Sequence, residues 1–319
     1  MRGGRPRRSG TAALLIGATV ALAAVPAVLR ADTWRGLELD AKMKRAPWHI
    51  GPFRIQPSLV ISNAGVDSNI FYSPTDPVRD FTVTAGPAAT IYLPVVRRFV
   101  LSVSGSPQYV WYSKTARERT WNSYLTAAAQ INLRSVFLSF EGVRSDAREH
   151  WNTELDIRPR RTELGFGGSA LVKLGWKTSF ALAFRTADYN YENIAVDSGF
   201  NIRERLNRRE RYGTFSLYYQ LASLRRFFLD FEYGRYDFEF AAAALKDSQS
   251  YAGYAGFEFA QLGSRVRGRV RVGYKKFNLR SPEGGPDFQG LVGDSQLSVR
   301  FAKPFAVRAS FIRDVRFSL

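Results

Sequence analysis

The chain has 319 residues and no cysteine, with 46 Lys and Arg against 28 Asp and Glu, a formal charge of +18. Apolar residues make up 45% and aromatics 14%, too many for a disordered chain, while 26 Gly and 14 Pro spread along it disfavour a helical bundle. A disulfide framework and a Cys-ligated metal site are excluded, and no second apolar run of about 18 residues follows the N-terminus to make a helical membrane protein.

Residues 1–31 have the layout of a secretory signal peptide. Arg2, Arg5, Arg7 and Arg8 form a basic start, and Thr11 to Val25 is a run rich in Ala, Leu, Ile and Val. Pro26 ends the run, with Ala27 or Ala31 as the cleavage position. A retained anchor is the alternative, but the run is Ala-heavy and barely long enough to span. Cleavage after Ala27 removes the four arginines and no acid and leaves the mature chain at +14. Export also removes nucleic acid, the usual partner of a strongly basic protein, from the expected partners. Residues 32–52 read as a short periplasmic segment.

From residue 53 onward the chain alternates. Phe53, Ile55, Pro57, Leu59 and Ile61 are separated by Arg54, Gln56 and Ser58. Trp121, Leu125, Ala127, Ala129 and Ile131 lie opposite Asn122, Tyr124, Thr126, Gln130 and Asn132. Successive strand side chains point to opposite faces, so each such segment has one apolar and one polar face. The pattern predicts strands near 53–62, 81–93, 99–111, 121–133, 136–145, 161–174, 178–191, 211–221, 227–238, 251–261, 266–277, 294–301 and 305–317. Most exceed the usual length of about 5–6 residues and match the 9–11 or so that a tilted strand needs to cross a bilayer. Long connections near 63–79, 113–120, 146–160, 192–210, 239–250 and 279–293 alternate with short ones at Val95–Arg97, Arg134–Ser135, Gly175–Lys177, Ser223–Arg225, Leu262–Ser264 and Lys303–Pro304. Outer-membrane barrels show this asymmetry of tight periplasmic turns and long outer loops. The fold class expected is therefore all-β: an antiparallel up-and-down transmembrane β-barrel over 53–319, in the outer membrane of a Gram-negative bacterium.

Charges within the strands fall on the polar face: Glu141, Glu163, Lys173, Arg185, Asp230, Glu232, Glu258, Arg267, Arg269, Arg271, Lys275, Arg300 and Arg308. An Arg facing lipid at the midplane would cost about 2–4 kcal/mol. Tyr109, Trp111, Trp121, Trp176, Tyr189, Tyr191, Tyr233, Tyr251 and Phe305 sit near strand ends, as interfacial girdles do. Arg267, Arg269, Arg271 and Lys275 form a basic ladder on one face of one strand, with Asp230, Glu232 and Glu258 as acidic lumen partners. A basic pore wall favours anions; partial neutralisation by those acids is the plain alternative. Arg203, Arg205, Arg208, Arg209 and Arg211 form a basic cluster in a predicted outer loop, suited to lipid phosphate or acidic sugar.

The stretches Pro57-Ser58-Leu59, Gly65-Val66-Asp67-Ser68-Asn69-Ile70-Phe71, Asp80 and Gly86-Pro87, with Tyr109, Tyr112 and Arg313-Asp314-Val315, resemble the β-barrel porin 2 family. The resemblance covers about 53–319. It implies an outer-membrane barrel encoded with capsule or exopolysaccharide export systems, and it brings no catalytic residue. Thirteen strands is an odd number, and Phe317-Ser318-Leu319 lacks the terminal aromatic of a finished barrel. This predicts a shortened sequence and 14–16 strands when complete.

No enzyme and no cofactor are expected. His150 with Glu149 or Asp146 could serve a Ser-His-acid hydrolase, but a solvated loop histidine accounts for it. Asp67, Asn69, Asp76 and Asp80 could hold calcium, and Asx-turns explain them equally well. Expected partners are outer-membrane lipid and lipopolysaccharide, with acidic polysaccharide or small anions as solutes. The function expected is a pore or accessory barrel for export; the alternative is a non-conducting structural barrel that binds lipopolysaccharide or surface polysaccharide through its loops.

Overall fold

A computed structural model describes residues 35–71, 76–96, 98–133, 135–148, 158–195, 201–222, 225–259, 266–281, 283, 287–300 and 306–315. The signal peptide, Glu149, His150, Phe305 and the last residues lie outside them. Helix α1 (Arg35–Arg45) comes first, then strands β1 (Trp48–Ile50), β2 (Phe53–Asp67), β3 (Asp80–Val96), β4 (Phe99–Tyr112), β5 (Thr120–Asn132), β6 (Val136–Arg148), β7 (Arg160–Lys173) and β8 (Thr178–Tyr191). A short helix α2 (Ile202–Leu206) precedes β9 (Arg208–Ala222), β10 (Arg225–Phe238), β11 (Ser248–Phe259), β12 (Val266–Leu279), β13 (Phe288–Arg300) and β14 (Ala306–Arg313). All fourteen strands form one antiparallel sheet in sequence order, an up-and-down meander. Strands β2 to β13 are 12–17 residues long. Among the described residues, no helix is long and apolar enough to cross a membrane.

Each of the thirteen predicted strands has a counterpart in β2–β14, and β1 is the one the periodicity missed. Three residues are too few to show a period. Gly51, at φ +55°, turns the chain back so that Trp48, His49 and Ile50 pair with Ile55, Arg54 and Phe53. The strand predicted to end at 62 continues to Asp67. A bulge between Ser62 and Gly65, with Asn63 at φ 51°, breaks the alternation, and Val66 then pairs with Phe81. β1 covers only the first residues of β2, and among the described residues no ladder joins β14 to either of them. The sheet is open there.

Register sorts the side chains as the alternation demands. One face carries Phe166, Leu182, Phe184, Phe231, Phe257 and Val272, each at least 46% exposed. Aromatic cross-strand pairs punctuate it: Phe81 with Trp111, Tyr109 with Trp121, and Tyr233 with Tyr251, their ring centroids 6.2, 5.1 and 5.2 Å apart. The opposite face, here the inner one, holds the buried side chains, including Phe137, Leu171, Ala181, Tyr218 and Phe228 in one cluster across β6–β10. Tyr189 and Tyr191 belong to this inner face, not to an interfacial girdle: Arg208 stacks 4.8 Å over the Tyr189 ring, and Tyr191 is buried. Helix α1 seats Leu39 and Met43 on Tyr92 and Val100, at the short-turn ends of β3 and β4, with Asp40, Lys42, Lys44 and Arg45 on its other side.

Candidate functional site

The densest polar chemistry lies on the inner face of β9–β13. Arg269 and Arg271 stand on β12, and Gly256 on β11 lies between them and Phe228 on β10. With no side chain at Gly256, both arginines reach across β11 to the strand beyond. Arg269 stacks 3.9 Å over the Phe228 ring and donates to Asp230. Arg271 stacks 4.0 Å over Tyr254 and donates to Glu232, to Asp294 on the neighbouring strand, and to Asp230 at 3.3 Å. Lys275 holds Asp314 at 2.8 Å, and Arg226 holds Glu258 at 3.1 Å. Further round the same face Arg185 bonds Glu163, and Arg208 bonds Glu210 at 2.7 Å, where the Tyr212 hydroxyl also donates.

The centre of this network is buried, while Arg271, Glu232, Asp294 and Asp314 around it are partly exposed. Phe228 is fully buried, and Asp230 is 1% and Arg269 7% exposed. Arg267, Arg269, Arg271 and Lys275 thus share one face, and the structure brings Asp230, Glu232 and Glu258 to it. It adds two acids that sequence reasoning missed. Asp294, the first residue of the predicted strand, is set opposite Arg271 by the register of β12 and β13, and β13 itself begins six residues earlier. Asp314 follows β14, where only the fold shows its approach to Lys275. Arg226, Arg267, Arg269, Arg271 and Lys275 then face Asp230, Glu232, Glu258, Asp294 and Asp314, while Arg300 on β13 and Arg308 on β14 share the face and leave an excess of two positive charges. An isolated positive wall is not what this strand presents.

The inner face of β3–β5 is different. Thr90 and Ser104 share a hydroxyl hydrogen bond of 2.9 Å, and the Gln108 amide donates to Ser106 at 3.0 Å. Ser102, Thr126 and Ala128 continue this wall of small, partly open side chains.

The five arginines predicted as one loop cluster divide among three surfaces. Arg203 and Arg205 lie on α2, where Asn201 caps the helix by accepting from the Arg203 N–H at 2.9 Å. Arg208, Arg209 and Arg211 belong to β9, not to a loop. Arg208 is buried on the inner face, while Arg209 and Arg211 point outward to Asp188 and Asp237. With charge on both faces, 208–211 carries no apolar alternation from which a strand could be read. Ile202 and Leu206 are fully buried, and Arg205 donates to the Ala242 carbonyl at 3.2 Å in the next long loop. Asn207 adds a bond of 2.8 Å to Glu239, so the two loops interlock.

Two of the residues considered for calcium, Asp67 and Asp80, serve the backbone. Asp67 accepts from the Asn69 N–H at 2.9 Å, an Asx-turn, and Ile70 packs on Val110 and Tyr112. Asp80, on the loop side of the Phe81–Trp111 pair, accepts from the N–H groups of Phe81, Thr115 and Lys114 at 2.7, 2.7 and 3.0 Å. Burial raises its pKa, but these bonds outweigh it and hold the carboxyl at about 2. The anchoring is therefore fully present above the ordinary carboxylate range and is lost as pH falls through about 2. Asp80→Ala should release the 113–119 loop, and faster trypsin cleavage at Lys114 and Arg117 in the folded protein would show it; an unchanged rate would refute the anchoring. Among the described residues no group of His, Asp and Glu forms a metal site. Asp146, the described member of the hydrolase trio, is on the outward face in an ion pair with Arg160 at 2.5 Å.

No family model matches the chain, and no curated protein matches it.

Proposed function

We propose that this chain is an outer-membrane β-barrel of the porin and exopolysaccharide-export class, reached through a secretory leader at residues 1–31 and closed by the ends of the sheet. The observation that carries the reading is the outward face: strands of 12–17 residues, apolar and ringed with aromatic pairs, joined by alternating long and short connections. Such a face suits lipid, and in lipid only closure satisfies every backbone group. The likeness of Gly65–Phe71 to the β-barrel porin 2 family supports the same class.

Within such a barrel the solute path runs along the hydroxyl-rich wall of β3–β5, which suits sugars and other polar solutes. Ion pairing on the β9–β13 wall offsets most of its positive charge and leaves only a weak field for anions. The reading assigns the protein no catalytic chemistry. A second reading, a non-conducting structural barrel that binds lipopolysaccharide or surface polysaccharide, draws support from the buried Phe137–Phe228 cluster and from α1 against β3 and β4.

Fractionation followed by planar-bilayer recording tests both. The protein should sediment with outer membranes and, once inserted, conduct with at most a weak anion preference in its reversal potential across a salt gradient. Inserted but silent protein would replace the first reading by the second. A soluble protein would remove both.

A further inference from the structure

On the outward face, at the long-loop ends of β9 and β10, Arg211 and Arg235 lie directly opposite each other in the ladder. Like charges so placed repel. A single carboxylate, Asp237, holds them both, receiving Arg211 at 2.8 Å and Arg235 at 3.0 Å, and it also receives Arg280 at 2.9 Å. Three guanidinium groups on one carboxylate leave an excess of two positive charges. Lys276, beside Tyr251, adds one, and Asp247, 3.8 Å from Arg280, removes one. Arg209 is matched by Asp188. The arginine side chains are 46%, 45% and 32% exposed, open to a further anion.

Immediately below this patch, one outward position deeper along each strand, lies an apolar groove of about 790 Å³. Two glycines make its floor. Gly213 lies beside Tyr233, and Gly253 lies between Phe231 and Tyr274. A Cβ added at either would meet no atom within 4 Å. Tyr233 and Tyr251 pair at one level, and Phe215 and Phe231 stack at the next.

We propose that this is a lipid site that takes a phosphorylated, acylated glycolipid of the lipid A type, its phosphate on Arg211, Arg235 and Arg280 and an acyl chain in the groove floored by Gly213 and Gly253. The guanidinium fork matches a phosphate in bidentate geometry, and phosphate relieves the Arg211–Arg235 repulsion that Asp237 alone only partly offsets. The groove supplies apolar surface at the depth where acyl chains begin. Long connections mark the outer side of a barrel, which selects the lipid of the outer leaflet. The inference rests on the outer-membrane reading and names one ligand of that surface.

The test is native mass spectrometry of the full-length protein in detergent, titrated with bis-phosphorylated lipid A, dephosphorylated lipid A and phosphatidylglycerol. The wild type should retain one lipid A through detergent exchange. Gly253→Leu, whose Cβ meets no atom within 4 Å, puts a side chain into the groove and should weaken retention at least tenfold, as should the double variant R211Q/R235Q. Dephosphorylation of the lipid should weaken binding to the wild type and make no further difference to the double variant. Equal retention by wild type and variants, or phosphatidylglycerol held as firmly as lipid A, would overturn the proposal. Fractionation of the same variants separates the two failures: protein that reaches the outer membrane yet binds no lipid A in the groove defeats this inference alone.

Discussion

Asp230→Ala is expected to destabilise the protein by about 3–5 kcal/mol, the cost of leaving a buried charge without its partner. Asp230 is 1% exposed, and Arg269, which it holds, is 7% exposed. Arg271 keeps Glu232 and Asp294 after the substitution, but among the described residues Arg269 forms an ion pair with Asp230 alone. The cost therefore falls on Arg269, stranded against the Phe228 ring. Adding Arg269→Met to Asp230→Leu should restore most of the lost stability, because a well-packed apolar pair replaces the two charges together. Urea unfolding in detergent micelles, followed by tryptophan fluorescence, measures both variants. A loss below about 1 kcal/mol for Asp230→Ala would mean that water reaches the pair, since exposed ion pairs contribute only about 0–1 kcal/mol. That outcome would also speak for a hydrated path along β10–β12, so the stability measurement bears directly on conduction.

The architecture was legible because it depends on a local signal, the two-residue period, which survives in every long strand. The signal fails where chemistry on both faces is the same. At 208–211 Arg and Glu alternate with Arg, so no apolar face marks the start of β9. At 62–65 a bulge shifts the period, and the strand looks finished two residues before its ladder resumes. The site was legible only in composition. Position parity put Arg267, Arg269, Arg271 and Lys275 on one face, but their charge state as a group depends on which acids stand opposite. That is a matter of register between strands, which a single sequence does not display. Asp294 is set opposite Arg271 by the β12–β13 ladder, and Arg235 opposite Arg211 by the β9–β10 ladder. The first pairing offsets part of a basic wall. The second makes a basic patch from residues 24 positions apart in the chain.

Gly256 is the residue on which the cross-strand network turns, and its replacement is expected to be severe. A Cβ there would meet the Val270 carbonyl oxygen of the next strand, the Phe228 ring at 2.5 Å and the Arg271 Cβ at 2.9 Å. A ring can tilt, but the carbonyl belongs to a ladder strand and moves only with it. Overpacking of this kind costs about 1–3 kcal/mol for a small addition. Gly256→Ala should therefore fall in that range, and Gly256→Leu should exceed it by driving Arg269 off Phe228 and Arg271 away from Asp230. Gly253→Ala is the internal control: same strand, three residues away, opposite face, no atom within 4 Å of the new carbon. It should stay within about 0.5 kcal/mol of wild type, as substitutions clear of packing usually do. Urea midpoints of the three variants in one detergent decide the matter. Equal losses for Gly256→Ala and Gly253→Ala would show that the space over β11 is not closed by the reach of Arg269 and Arg271. The inner face of β9–β12 would then be an open wall with its charges in water, and the case for a buried, ion-paired centre would fall with it.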